Sequence, residues 1–162
     1  MSPSNVRLLF KYEAGQLYWI FKVSDKIKIG QLAGSFSGKY GIIKYLKKTY
    51  QVHRLIFLYH KGYNPKTVDH INLNTKDNRI ENLRDASYSE NLRNTRKLTK
   101  GLSPYKGVTF DKRRNKWISR IKLKNKRLYL GSFDNEIIAA KEYDKNALKY
   151  FGKFANINFK EK

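Results

Sequence analysis

The sequence predicts an α+β protein of two small modules: a strand–loop–strand–helix unit and, behind it, a three-stranded antiparallel sheet packed on one helix. Three observations carry that expectation. Short runs alternate apolar and polar residues with period two, clearest in Lys116-Trp117-Ile118-Ser119-Arg120-Ile121-Lys122. The run after Asp134 carries Ile137, Ala140, Tyr143, Ala147 and Phe151 on one helical stripe. Between the two patterns, Arg93 to Pro104 has almost no apolar periodicity and reads as a helix end running into a basic linker. The expected boundaries are 1–97 for the first module, with its core at about 67–97, a linker at 98–102, and 103–160 for the second.

In chain order, Gln16-Leu17-Tyr18-Trp19-Ile20-Phe21 is the first strand candidate. Tyr40-Gly41-Ile42-Ile43-Lys44-Tyr45 pairs with Tyr50-Gln51-Val52 across a turn at Lys47-Lys48. From His53, the spacing of Leu55, Ile56 and Tyr59 predicts a helix that stops at Gly62, with Pro65 just beyond. This segment carries no obvious chemistry of its own. Thr67-Val68-Asp69-His70 and Leu83-Arg84-Asp85-Ala86 are short strands flanking a loop rich in turn residues. Ser87 and Glu90 then have the spacing of a capping box that opens a helix holding Asn91. In the second module, Gly107–Phe110, Lys116–Lys122 and Lys126–Gly131 are strands joined at Arg113-Arg114-Asn115 and Lys124-Asn125. Asp134 is the expected N-cap of the last helix, and Gly152 its end.

Composition points to a polyanionic partner. There are 35 Lys+Arg against 13 Asp+Glu, a formal charge of +22 on 162 residues, so the chain attracts nucleic acid in a salt-dependent way. A binder without chemistry satisfies the same number. A hydrophobic share of 40% with 14% aromatics provides folded cores rather than a disordered basic tail. With Cys count 0, disulfides, a cysteine nucleophile and thiolate zinc sites are excluded, and His53, His60 and His70, scattered along the chain, make a poor zinc cage. No apolar run approaches the roughly 20 residues of a membrane span, and the start lacks a signal-peptide core. A cytoplasmic protein without membrane contact or a small-molecule cofactor is expected.

The residues that carry chemistry lie in Val68-Asp69-His70-Ile71-Asn72, Asp77-Asn78-Arg79-Ile80-Glu81-Asn82-Leu83-Arg84 and Asn91. Phosphodiester hydrolysis needs a water, a base and positive charge on the phosphate. An imidazole and one hard cation supply these. Mg²⁺ prefers oxygen ligands and keeps several waters, so the Asp69 carboxylate and the Asn91 amide oxygen with phosphate oxygens suffice. His70 is then free to polarise water, provided the strand ends or twists there, because neighbouring strand residues point apart. Each residue also has a structural reading: Asp69-His70 as a strand-end pair, Asn78 and Asn82 as loop hydrogen-bonders, His53 as helix-start packing or a second catalytic group, and Arg79 and Arg84 as phosphate clamps or solvated loop charges.

With His53-Arg54-Leu55 and Glu90-Asn91 added, in order and spacing, this set resembles the HNH endonucleases of phage and intron homing type. The resemblance implies a ββα-metal fold with His70 as general base, Asp69 and Asn91 as metal ligands, and Asn82 tying the loop to the site. Asn91 in place of a histidine resembles the homing subgroup and implies Mg²⁺, with Mn²⁺ as the other candidate, over zinc.

Between Arg93 and Arg127, Arg93, Arg96, Lys97, Lys106, Lys116, Arg120, Lys122 and Arg127 are among many basic residues alternating with sheet formers, opposed only by Asp111. Such a sheet face can read a DNA groove. Tyr105-Lys106-Gly107-Val108, Lys116-Trp117, Arg127-Leu128-Tyr129-Leu130-Gly131-Ser132-Phe133, the alanine-bearing helix and Asn156-Ile157-Asn158-Phe159 resemble the plant ethylene-response-factor (APETALA-type) DNA-binding domain over roughly 103–159. That resemblance puts Lys106, Thr109, Trp117, Arg120, Lys122, Arg127 and Tyr129 at positions used for DNA contact, with Trp117 open to a core reading. Thr109-Phe110 stand where the plant domain has arginines, so the base sequence read does not carry over.

The expectation is a phage-encoded, site-directed endonuclease acting as a monomer on double-stranded DNA. A catalytically silent DNA-binding regulator is the alternative. An RNA-binding accessory protein accounts for the charge but not for the spaced His and Asn residues.

Overall fold

A computed structural model describes residues 1–36, 38–95, 102–124 and 126–160. The DNA-contact candidates Arg96 and Lys97, most of the linker, and Asn125 of the last turn lie outside the described residues. The protein is mixed α+β with small antiparallel sheets, and it divides into two compact units, Met1–Ser87 and Tyr88–Lys162.

The first unit opens with helix α1 (Pro3–Leu9), whose N-terminus is capped by Ser2 accepting from the Asn5 amide at 3.2 Å. Strands β1 (Phe10–Glu13) and β2 (Gln16–Trp19) form a hairpin closed at Ala14-Gly15, both with positive φ. The second hairpin, β3 (Ile42–Tyr45) with β4 (Lys48–Gln51), turns at Leu46-Lys47, one residue earlier than expected, because those two residues take the left-handed φ values of 47° and 60°. Helix α2 (Val52–Lys61) ends on Gly62 at φ 76°, whose amide donates to the Leu58 carbonyl. It contacts α1, both earlier hairpins and the next one. Its apolar face closes a core that includes Val6, Phe10, Leu17, Ile43, Val52 and Ile56. Each large side chain buried there contributes about 1.5–3 kcal/mol.

Strands β5 (Thr67–His70) and β6 (Leu83–Ala86) form the third hairpin, in which Asp69 faces Arg84 and His70 faces Leu83. Their loop ends in a 3-10 turn over Ile80–Asn82. In chain order the hairpin is followed by a short helix over Tyr88–Arg93, the strand–strand–helix order expected of a ββα arrangement, and the match to that fold is loose.

The second unit begins with the short helix α3 (Tyr88–Arg93). Strands β7 (Val108–Asp111), β8 (Lys116–Leu123) and β9 (Lys126–Phe133) pair antiparallel in sequence order, with a bulge between Ser119 and Arg120 that leaves Leu130 without a register partner. Helix α4 (Glu136–Phe151) lies on the sheet through Ala139, Ala140, Tyr143, Ala147 and Phe151, and its C-cap is Gly152. Two expectations are corrected. The N-cap is Asn135, whose carboxamide oxygen accepts from Ile137 and Ile138, while Asp134 pairs with Lys116 instead. Ile137 is exposed, and its place on the packing stripe goes to Ala139. Gly107, at φ +82°, lets the chain pass under Tyr143: a Cβ there would sit 1.9 Å from the ring.

Among the described residues no helix is long and apolar enough to cross a membrane.

Candidate active site and basic sheet face

In the first unit the chemistry gathers where the β5–β6 hairpin meets α2. Strand β5 ends at His70, the Ile71 amide then donating to the Asn82 carbonyl at 2.9 Å. Asp69 and His70 are each only 4% exposed. The Asp69 carboxylate accepts two bonds on Oδ2, from Arg84 Nε at 2.8 Å and Nη2 at 2.7 Å. This cross-strand pair follows from register, because the two residues are direct partners. Arg84, a phosphate-clamp candidate by sequence, is therefore engaged with the buried carboxylate. A guanidinium against Asp69 shows this carboxylate organised around positive charge.

His70 Nε2 lies 2.9 Å from Asn78 Oδ1. A carboxamide oxygen only accepts, so Nε2 carries the proton and donates, and the basic lone pair falls on Nδ1. Asn78, read from sequence as a loop residue, thus sets the tautomer of the imidazole. His53, in the first turn of α2, packs against His70 with the rings tilted by 53° and their centroids 5.0 Å apart, and Tyr40 packs on both rings at 5.0 and 6.2 Å. Burial, with smaller contributions from His70 and Arg54, lowers the His53 pKa from 6.5 to about 3. His53 is accordingly neutral near pH 7 and adds no charge beside His70. The N-terminal segment, which by sequence carried no obvious chemistry, furnishes two of the three rings here.

Asn82 ties the loop together. Its Oδ1 accepts from the Asn72 amide at 2.9 Å, and its Nδ2 donates to Asn72 Oδ1 at 3.0 Å and to the Asp77 carbonyl at 2.7 Å. Asp77 accepts from Arg79 Nε and Nη2, both at 2.9 Å, and from Asn72 Nδ2 at 2.8 Å. Arg79 holds the Asp77 carboxyl down at about 2. Arg79 itself remains on the surface, its side chain 63% exposed. The β1–β2 turn buttresses this loop: Tyr12 Oη accepts from the Ile80 amide, and a Cβ on Gly15 would meet the Arg79 amide at 2.9 Å.

Asn91 sits on α3, in the second unit. Among the described residues no group of three or more His, Cys, Asp or Glu side chains could hold a metal. Any cation at Asp69 must therefore draw further ligands from amide, water or phosphate oxygens.

In the second unit, Thr109, Arg120, Lys122 and Arg127 line one groove of about 250 Å³ on the sheet face away from α4. Register places Arg120 opposite Tyr129 and Lys122 opposite Arg127, and Tyr129 is 53% exposed. Three sequence-expected contacts lie elsewhere. Trp117 joins the packing of Val108, Ala139 and Ala140 and meets the Phe110 ring at 4.7 Å, tilted by 52°, because alternation along β8 turns it toward α4. The Lys106 ammonium donates to the Arg93 and Thr95 carbonyls. The Arg93 guanidinium lies 4.9 Å from the Phe151 ring centroid.

Two similarities overlay this geometry. Residues 50–93 match the HNH endonuclease family, a span that holds His53, Asp69, His70, Asn82 and Asn91. Over 57 residues the chain is 47% identical to APETALA2-like protein 2 of Oryza sativa subsp. indica, covering 35% of this chain and 13% of that protein. It is equally identical, over 57 residues, to the AP2-like ethylene-responsive transcription factor TOE2 of Arabidopsis thaliana, covering 35% and 12%. With the AP2-like ethylene-responsive transcription factor CRL5 of Oryza sativa subsp. japonica it shares 31% identity over 140 residues, 82% of this chain and 21% of that protein. The chain thus spans about an eighth to a fifth of the length of these plant relatives.

Proposed function

We propose that the protein is a site-directed DNA endonuclease of the HNH homing type, in which the first unit cuts and the basic sheet places the cut. The observation that carries the proposal is the His70–Asn78 pair beside the buried Asp69. An imidazole held as the Nε2–H tautomer presents Nδ1 as a base, in a pocket where its neighbour His53 stays neutral. His70 takes the proton of a water aimed at phosphorus. Asp69 and Asn91 are the residues to hold a divalent cation, and their hard oxygen donors suit Mg²⁺ or Mn²⁺. Such a cation would offset charge on the phosphate and the departing oxygen. Arg84 fixes the orientation of the Asp69 carboxylate through its two bonds to Oδ2. On the sheet, Arg120, Lys122 and Arg127 neutralise duplex phosphates while Thr109 and Tyr129 lie where base edges or sugars can be met. One His70 per chain makes strand nicking by a monomer the simplest outcome.

The test is conversion of supercoiled plasmid and phage genomic DNA with Mg²⁺, Mn²⁺ or EDTA, comparing the native chain with His70→Ala. Metal-dependent nicking or linearisation, lost in the variant at unchanged duplex binding, is the expected result. Native-like cutting by His70→Ala overturns the assignment. The second reading is a DNA-binding regulator without catalysis, favoured by relatives named as transcription factors. A duplex shift in a gel, with no cutting of DNA that contains the bound site, selects it.

A further inference from the structure

Helix α3 has six residues and buries none of them. A helix this short does not hold itself in water, since nucleation costs more than its few bonds return. Its C-terminal end is nevertheless fastened. The Lys106 ammonium donates to the Arg93 carbonyl at 2.7 Å and to the Thr95 carbonyl at 2.8 Å, and Asn156 Nδ2 donates to the same Thr95 carbonyl at 2.8 Å. The Arg93 guanidinium covers Phe151 at the end of α4. Lys106 is itself anchored: Asn158 accepts from its amide at 2.6 Å and donates to its carbonyl, while the buried Asp144 of α4 accepts from Asn158 and Phe159. A continuous set of bonds therefore runs from the core of the sheet module through Lys106 to the last turn of α3.

We propose that Lys106 and Asn156 are positioning residues that clamp α3 to the DNA-binding unit, so that Asn91 is presented as a metal ligand by the module that docks on duplex. This rests on the reading of Asn91 as a cation ligand given above. It reassigns Lys106 from a phosphate contact to an internal fastener: both carbonyl bonds would have to break before its charge reached a phosphate. Burial lowers the Lys106 pKa to about 8, in keeping with an ammonium turned inward.

The test uses the full chain and the variants Lys106→Met, Asn156→Leu and Lys106→Arg. Removing the clamp is expected to raise the Mg²⁺ concentration for half-maximal cleavage by about tenfold, as loss of ligand-orienting partners does, with duplex affinity at fixed salt unchanged. Lys106→Arg, which can donate to both carbonyls, restores the native metal dependence. Amide hydrogen exchange gives a readout independent of cutting: α3 exchanges faster in Lys106→Met and Asn156→Leu while β8 stays protected. Unchanged metal dependence in both variants, where His70→Ala still abolishes cutting, overturns the clamp and leaves the endonuclease reading intact. A fall in duplex affinity with α3 exchange unaltered overturns it in favour of a direct DNA contact. If the native chain leaves uncut a duplex that contains its bound site, the endonuclease reading fails, and α3 exchange that is the same in native chain and variants overturns the fastening as well.

Discussion

The polar side chains of the two units are deployed in opposite ways. In the first unit, Asp69, His70, Asn78 and Asn82 are all buried and are held by hydrogen bonds of 2.7–3.0 Å to one another, to Arg84, to Asn72 or to the loop backbone. On the sheet face of the second unit, Arg120, Lys122 and Arg127 are exposed around a shallow groove. Buried polar groups are costly unless satisfied and, once satisfied, are rigid. Exposed lysines and arginines keep their rotamer freedom and their hydration until a polyanion displaces counterions. The first arrangement suits a reaction that needs one geometry. The second suits binding that tolerates many.

That contrast can be broken most severely at His70. Substitution by alanine should cut the cleavage rate by about 10²–10⁴-fold, the usual worth of a general base, with duplex affinity unchanged in a gel-shift titration. Equal losses of rate and affinity would erase the division of labour between the units. Next in size is Gly107→Ala, which forces a Cβ into the Tyr143 ring at positive φ. It should destabilise the sheet module by roughly 3 kcal/mol, read as a lower denaturant midpoint for β8 and β9 with the first unit's transition unmoved.

The buried His53 provides a sharper pH test. Its folded pKa, about 3, lies below the ordinary 6.5, so its neutral form contributes stability that is fully present above pH 6.5. That contribution falls as pH drops from there toward 3, by up to about 1.4 kcal/mol per pH unit. His53→Gln should flatten this slope in acid unfolding of the first unit and leave the second unit's curve alone.

Smaller effects belong to the exposed side. Arg120→Ala and Arg127→Ala should each reduce the slope of log affinity against log salt by about 1, without altering cleavage of DNA already bound. Arg79→Ala breaks a surface pair with Asp77 and should cost the fold at most about 1 kcal/mol. A larger loss in thermal unfolding would show that this pair braces the loop.

What could be read along the chain follows from how local each signal is. The β5 and β6 runs, the α2 start near His53 and the Gly62 cap, the three strands of the sheet and the Gly152 cap were legible because alternation, helical spacing and cap chemistry act within a few residues. The N-cap at Asn135 rather than Asp134 was not, since both side chains can accept from the first free amides and Lys116, across the sheet, took one of them. Trp117 could equally be core or contact by sequence, and its orientation was settled by which sheet face α4 covers.

The sequence by itself determined the residue set, Asp69, His70, Asn78, Asn82 and Asn91 in ordered spacing, and a positive charge that demands a polyanion, because composition and short-range pattern are properties of the chain alone. Tertiary structure decided what those residues do to one another. It brought His53 and Tyr40 onto His70, turned Arg84 inward onto Asp69, and spent Lys106 on the end of α3 rather than on phosphate. Each of those contacts joins residues well separated in the chain, so only the packing of α2, the hairpins and the sheet could create it.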